Sequence, residues 1–195
     1  MKVEIRAYKP EDEIGWVRCR VLAFLDSAYY DNVLTAKERY ENQAIELVAI
    51  LDQTVVGLID VEYENEERSV CSRGTGLGGM IWHIAVHPDY RRQGIARTLL
   101  AEAERMARQK NLNRFEAWTR DDKGVNRWYQ QNGFSSDYSY LHLYINEEDS
   151  SEVIHSQDKN ILPMTTFAHY VGDNKEEVKS QYKRAYECFC YEKVL

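Results

Sequence analysis

The sequence predicts a mixed α/β fold, a central sheet with helices on its faces. Three observations carry that reading. Short apolar runs of strand length are interleaved with segments whose apolar residues recur at helical spacing. One such run is joined to one such helix by a turn holding two arginines and a glycine. The chain of 195 residues, 44% hydrophobic and 29% charged, is long enough for one soluble globular domain with a substantial core.

The elements follow in order. Val3, Ile5 and Ala7 alternate with polar neighbours and predict a first strand. Ile14, Val17, Val21, Leu22 and Leu25 recur at helical spacing over residues 11–27. Residues 26–32 break that pattern, and Thr35 with Glu38 has the spacing of a capping box for a short second helix. Residues 45–51 and 54–64 are two strand-like runs, and Asp52 and Gln53 between them suit a tight hairpin. A polar, glycine-rich stretch over 65–79 follows and is expected to be a mobile loop. Next come a strand over 79–86, a helix over 94–110, a strand over 114–119, a helix over 122–132 and a strand over 138–145. Residues 147–182 read as an insertion before a closing strand. They hold an acidic loop (147–152), a strand over 164–171 and a helix capped by Asn174 and Glu177.

The turn His87–Ala96 is the most informative stretch. Pro88 ends the preceding strand, since it cannot donate to a ladder. Ile95, Leu99, Ala103, Met106 and Ala107 then mark an amphipathic helix, so Gly94 stands about where the helix begins. Unpaired N–H groups and the positive dipole end suit an anionic phosphate there. A glycine lets the backbone approach such a ligand closely.

This block resembles the coenzyme-A-binding motif of the GNAT (Gcn5-related N-acetyltransferase) superfamily, Arg/Gln-x-x-Gly-x-Gly/Ala. Here it reads Arg91, Arg92, Gln93, Gly94, Ile95, Ala96. Residues 126–134 are similar to the family's helix that ends in Tyr-x-x-x-Gly-Phe, with Tyr129, Gly133 and Phe134 at those positions. The resemblance covers roughly residues 1–146 and the last ten. It implies a mostly antiparallel central sheet flanked by helices, acetyl-CoA as acyl donor, and an amine acceptor that is a small molecule or a protein. It also implies a strand splayed from its neighbour, whose backbone at Ile84, Ala85 and Val86 pairs with the pantetheine amides. The N–H groups from Arg91 to Ala96 would cradle the pyrophosphate, with the Arg91 or Arg92 side chain adding charge-assisted bonds. Tyr129 stands where relatives often have the tyrosine that protonates the leaving thiolate, although it also reads as a packed aromatic beside Trp128 and Phe134. Asp122 replaces a common asparagine. Met80 occupies a position where many relatives carry a base, and methionine takes no proton. A homodimer is expected because the family is often dimeric.

Other candidates for the base remain open. His83 titrates in the useful range, but simple alternation puts it on the face opposite Met80 and Trp82. Asp60, Glu62 and Glu64 share one strand face, and Glu116 lies on a later strand; any of them would relay a proton through water. The alternative to an enzyme is an acyl-CoA-binding sensor or regulatory module with little turnover.

Several classes are disfavoured. A net charge of −7 weighs against nucleic acid, and no apolar run reaches the roughly 20 residues of a membrane helix. Residues 74–79 satisfy Gly-x-Gly-x-x-Gly, but a strand follows where a dinucleotide site needs a helix. Cys19, Cys71, Cys188 and Cys190 lack the spacing of a zinc site; no metal is expected, and a reducing cytoplasm is the simplest setting. A covalent intermediate on Cys71 is disfavoured because no histidine is near it in sequence.

Overall fold

The computed structural model describes residues 3–146, 156–158, 160, 161 and 163–195. In chain order the strands are β1 (Glu4–Ala7), β2 (Ala44–Leu51), β3 (Thr54–Tyr63), β4 (Gly78–Val86), β5 (Arg114–Arg120), β6 (Ser135–Asn146), β7 (Thr165–Tyr170) and β8 (Arg184–Val194). Among the described residues the α-helices are α1 (Glu13–Leu25), α2 (Ile95–Gln109), α3 (Lys123–Gln131) and α4 (Lys175–Gln181). The strands form one sheet in the order β1-β2-β3-β4-β5-β8-β6-β7. Only β4 and β5 pair in parallel, linked by the crossover through α2; every other neighbouring pair is antiparallel.

The two faces are covered unequally. Trp16, Cys19 and Ala23 of α1 bury against Val48, Val55, Leu58 and Ala85. On the other face Ile95, Leu99, Leu100 and Ala103 of α2 join Ile45, Leu47, Ile59, Phe115, Tyr129 and Phe134 in the main core. This matches the apolar stripe read from the sequence of α2. The β2–β3 turn is as tight as expected, with Asp52 at φ 47° and Gln53 at φ 62° supplying the left-handed pair that a two-residue hairpin needs.

Two expectations need correction. No helix starts at Thr35; residues 32–43 are neither helix nor strand. The Glu38 carboxylate that would complete a capping box is instead bonded to His83, so a tertiary partner wins over a local cap. The second concerns His83, which lies on the same face as Met80. Asp60 pairs with His83 and Glu62 with Met80, because a bulge shifts the register between Asp60 and Val61. One extra residue resets the alternation on which the sequence reading relied. Tyr170 and Tyr182, with Ala168 and Val178, pack onto Leu141, Leu143 and Ile145 in a small core of their own. The insertion thus adds β7 beyond β6 at the sheet edge, with α4 packed against β6. Its acidic loop, 147–152, lies outside the described residues.

Candidate active site

The site is organised by a gap between β4 and β5. Their parallel register runs only from Gly78 and Arg114 to Ile81 and Ala117, whereas β4 continues to Val86 and β5 to Arg120. The N–H of His87 donates to the Val56 carbonyl at 2.9 Å, on the β3 side. Ladder alternation therefore turns the amide and carbonyl of Ala85 toward β3, and those of Ile84 and Val86 toward the gap. Of the three strand residues expected to meet pantetheine, Ile84 and Val86 have backbone free to do so; the Ala85 side chain packs under α1.

The gap opens onto the turn before α2. Arg92 (φ 65°) and Gly94 (φ 82°) both adopt left-handed backbone, and successive N–H groups in such a turn form an anion-binding concavity. Gly94 is the N-cap of α2, and among the described residues no side chain caps that helix. A Cβ at Gly94 would meet nothing within 4 Å, so the space over the turn is open. The residues present therefore fit a coenzyme pyrophosphate. Of the two arginine side chains considered for the phosphate, that of Arg91 is engaged elsewhere: its guanidinium donates to the Ala23 carbonyl at 2.8 Å and pairs with Asp26. That side chain clamps the end of α1 to the loop, leaving Arg92 and Gln93 exposed at its tip. His87 caps the turn, its Nδ1 accepting from the N–H of Asp89.

The profile of the acetyltransferase (GNAT) family matches residues 10–134. The chain belongs to the GNAT family. Among curated proteins an uncharacterized N-acetyltransferase of Gracilaria tenuistipitata var. liui is 26% identical over 126 residues, which is 65% of this chain and 58% of that protein. The chain thus spans somewhat more than half the length of that relative. Among solved structures, a GNAT-family acetyltransferase from Streptococcus pneumoniae superposes with a TM-score of 0.62 at 14% identity, covering 100% of both chains. The PaiA N-acetyltransferase of Thermoplasma acidophilum, crystallised with coenzyme A, gives 0.59 at 16% identity and 100% of both chains. At such identities the likeness speaks for the fold.

Within this GNAT fold, Tyr129 is a core residue of α3. Its ring stacks on Tyr191 at 5.1 Å and meets Phe134 edge-on at 5.1 Å. Burial raises its phenol well above the ordinary range, with Tyr29 and Tyr191 adding to the effect. Tyr29 lies in the turn after α1, and its hydroxyl accepts the N–H of Arg120 at 2.9 Å, on the stretch of β5 beyond its pairing with β4. Its sequence signal is its place beside Tyr30 in the pattern-breaking run 26–32. Asp122 caps α3, accepting from Gly124 and Val125 at 2.8 and 3.0 Å.

The carboxylates have very different fates. Glu64 accepts N–H bonds from Arg68, Cys71 and Gly78, and Glu116 accepts from Ser72, Arg73 and the Trp118 indole. Burial alone would raise Glu116, but those donors outweigh it and hold it below the usual range. Arg114 lies between the two acids and Glu192. The glycine-rich loop is therefore pinned, contrary to the expectation of mobility. A Cβ on Gly74 would sit 2.1 Å from Glu192 Oε2, so its glycines serve packing. Asp60 is wholly buried against Lys37 and Tyr40, and burial raises it. Both ring nitrogens of His83 are engaged, Nδ1 by Arg20 and Nε2 by Glu38. Glu62 accepts from the Asn42 N–H and the Trp82 indole, each at 2.8 Å. Burial opposes its ionisation, yet these donors keep it below the ordinary range.

All four cysteines are buried thiols. Burial pushes Cys71 up to about 12, which removes the thiolate that a covalent route would need. Among the described residues no three metal-binding side chains converge, and no helix is long and apolar enough to cross a membrane.

Proposed function

We propose that this protein transfers an acetyl group from acetyl-CoA to a primary amine, of a small molecule or a protein, by direct attack in a ternary complex. The observation that carries the reading is the continuity of the β4 gap with the uncapped start of α2. Family membership supports it. When bound, acetyl-CoA supplies a thioester carbonyl activated toward an amine. Ile84 and Val86 would hold the pantetheine arm as an added strand, and the N–H groups from Arg92 to Ala96 the pyrophosphate. The amine nitrogen bonds to the carbonyl carbon as the carbon–sulfur bond breaks. Tyr129 donates its phenolic proton to the leaving sulfur, and the proton shed by the attacking amine nitrogen returns through water to the Tyr129 phenolate.

The test is Gly94→Glu. Open space at this position leaves the fold unperturbed beyond about 1 kcal/mol of left-handed strain, while the carboxylate enters the phosphate cradle. Calorimetry should show at least a hundredfold loss of acetyl-CoA affinity in a variant that remains folded by circular dichroism. Unchanged affinity would overturn the coenzyme site.

A second reading, an acyl-CoA sensor with little turnover, draws on Met80 at the usual base position and on the engagement of both His83 nitrogens. Release of free CoA over an amine panel separates the two: sustained turnover with any amine excludes the sensor, and binding without turnover supports it.

A further inference from the structure

The open face of the sheet beside the gap carries two indoles in equivalent places. Ile81 and Ala117 are the last residues paired between β4 and β5, and the next residue on each strand is a tryptophan, Trp82 and Trp118. Each indole N–H is anchored to a carboxylate on that face, Trp82 to Glu62 Oε2 and Trp118 to Glu116 Oε1, both at 2.8 Å. Met80 pairs with Glu62 on one side and with Glu116 on the other, which puts all these groups on one face. The opposite face at this point is filled by the core around Phe115, Tyr129 and Tyr191. A charge-assisted bond fixes each ring plane and leaves ring surface for contact. Trp82 keeps 48% of its surface exposed, a large apolar exposure to leave beside a reaction centre.

The charges around this mouth distinguish one carboxylate. Asp60 is matched by Lys37. Glu64, Glu116 and Glu192 share Arg114, and Asp31 meets Arg184 and Arg120. Glu62 is 6% exposed, and among the described residues no ion pair joins it. One buried, uncompensated negative charge behind an indole attracts one cation. Further along the sheet the charges are paired: Arg73 lies over Tyr138 at 4.3 Å and 4.0 Å from Asp137, and Arg184 lies over Tyr144 at 3.6 Å and meets Asp31 at 2.8 Å. A second positive charge on the acceptor would find these carboxylates already matched, whereas an apolar body would meet Trp118, Tyr138 and Tyr140, whose rings lie 5.2–6.4 Å apart.

We infer that the acceptor is a monocationic primary amine with an apolar body, its ammonium drawn to Trp82 in front of Glu62 and its body laid across Trp118. This rests on the acetyltransferase reading above and names the substrate class of that same site. The proton lost on acetylation leaves to water from the ammonium before attack.

The experiment has two arms. Free-thiol release is measured with hexylamine and phenethylamine, with putrescine and spermidine, and with short peptides bearing a free N-terminus. The monocationic apolar amines should give kcat/KM at least about tenfold above the others. In the second arm, hexylamine and spermidine are titrated calorimetrically into the CoA-saturated protein, which reads the preference without turnover. Trp82→Ala should raise the amine KM, or its Kd where turnover is absent, by about tenfold, in line with a partly desolvated cation–π contact. Acetyl-CoA affinity should stay within threefold, and Trp82→Phe should recover part of the loss. Glu62→Gln should weaken the monoamine and leave its neutral analogue hexanol unaffected. Preference for spermidine or for peptides, or an amine constant in Trp82→Ala unchanged within twofold, overturns the inference while leaving the enzyme assignment standing. Absence of acetyl-CoA binding in the wild type overturns the enzyme assignment instead, and hexylamine titrated into the free protein then decides the mouth on its own.

Discussion

The two ends of the β4–β5 pair differ in how completely their polar groups are satisfied. At the Gly78 end the ladder is intact, Arg114 holds three carboxylates, and Glu64 and Glu116 consume the N–H groups of the loop between β3 and β4. At the Val86 end the strands part, Ile84 and Val86 turn backbone groups into the gap, and α2 starts without a cap. Both ends carry a turn that holds glycine, four residues of it over 74–79 and Gly94 alone before α2. At the first, the glycines admit protein atoms, since a Cβ on Gly78 would lie 2.9 Å from Cys71 Sγ; at Gly94 nothing lies within 4 Å. Glycine content alone therefore does not mark a ligand site. What marks it is glycine beside unpaired backbone.

Removing the shared cation should break the closed end most severely. Arg114→Met leaves three buried or half-buried carboxylates without their cation, and the loss should be about 3–5 kcal/mol of stability. Urea denaturation measures it, and acetyl-CoA affinity of the folded fraction should stay within threefold. A large affinity loss would mean that the two ends are coupled.

Next in size is an acid effect at the wall flanking the open end. His142 accepts from Arg120 Nε at 3.1 Å and stacks on His169 at 4.9 Å. Burial, then Arg120 and His169, lower its pKa from 6.5 to about 4. A histidine held neutral when folded contributes stability above its unfolded value of about 6.5 and loses it as pH falls toward 4. The loss is on the order of 3 kcal/mol at about 1.4 kcal/mol per unit. His142→Gln should flatten the stability curve between those pH values, and a curve as steep as wild type would assign the acid loss elsewhere.

Tyr129→Phe sharpens the comparison at the open end itself. Turnover should fall by about a hundredfold or more, with the acetyl-CoA Kd nearly unchanged because the phenol acts as charge forms on sulfur. A change below threefold would make Tyr129 a packing residue, as its stack on Tyr191 allows. The smallest effect belongs to Arg91→Ala, which removes the clamp on the Ala23 carbonyl. It should cost about 1 kcal/mol of stability and less than a fivefold change in coenzyme affinity; a hundredfold change would return Arg91 to the phosphate site.

The parts legible in the sequence are those that local rules decide. The strand–Pro88–Gly94–helix turn, the amphipathic stripe of α2 and the Asp52–Gln53 hairpin each depend on residues close together in the chain, where φ restriction, missing donors and apolar period act directly. Tertiary structure decided the rest. The bulge that brings His83 onto the face of Met80 exists because β3 and β4 pair across a shifted register. Glu38 left its capping box for a histidine 45 residues away. Among the carboxylates that looked alike in the sequence, only the folded sheet decided which would hold a loop, which would meet Arg114 or Lys37, and which, at Glu62, would stand behind an indole without a cation. The charge state and reach of a side chain depend on what is packed against it, and packing partners come from strand order, which no window of sequence contains.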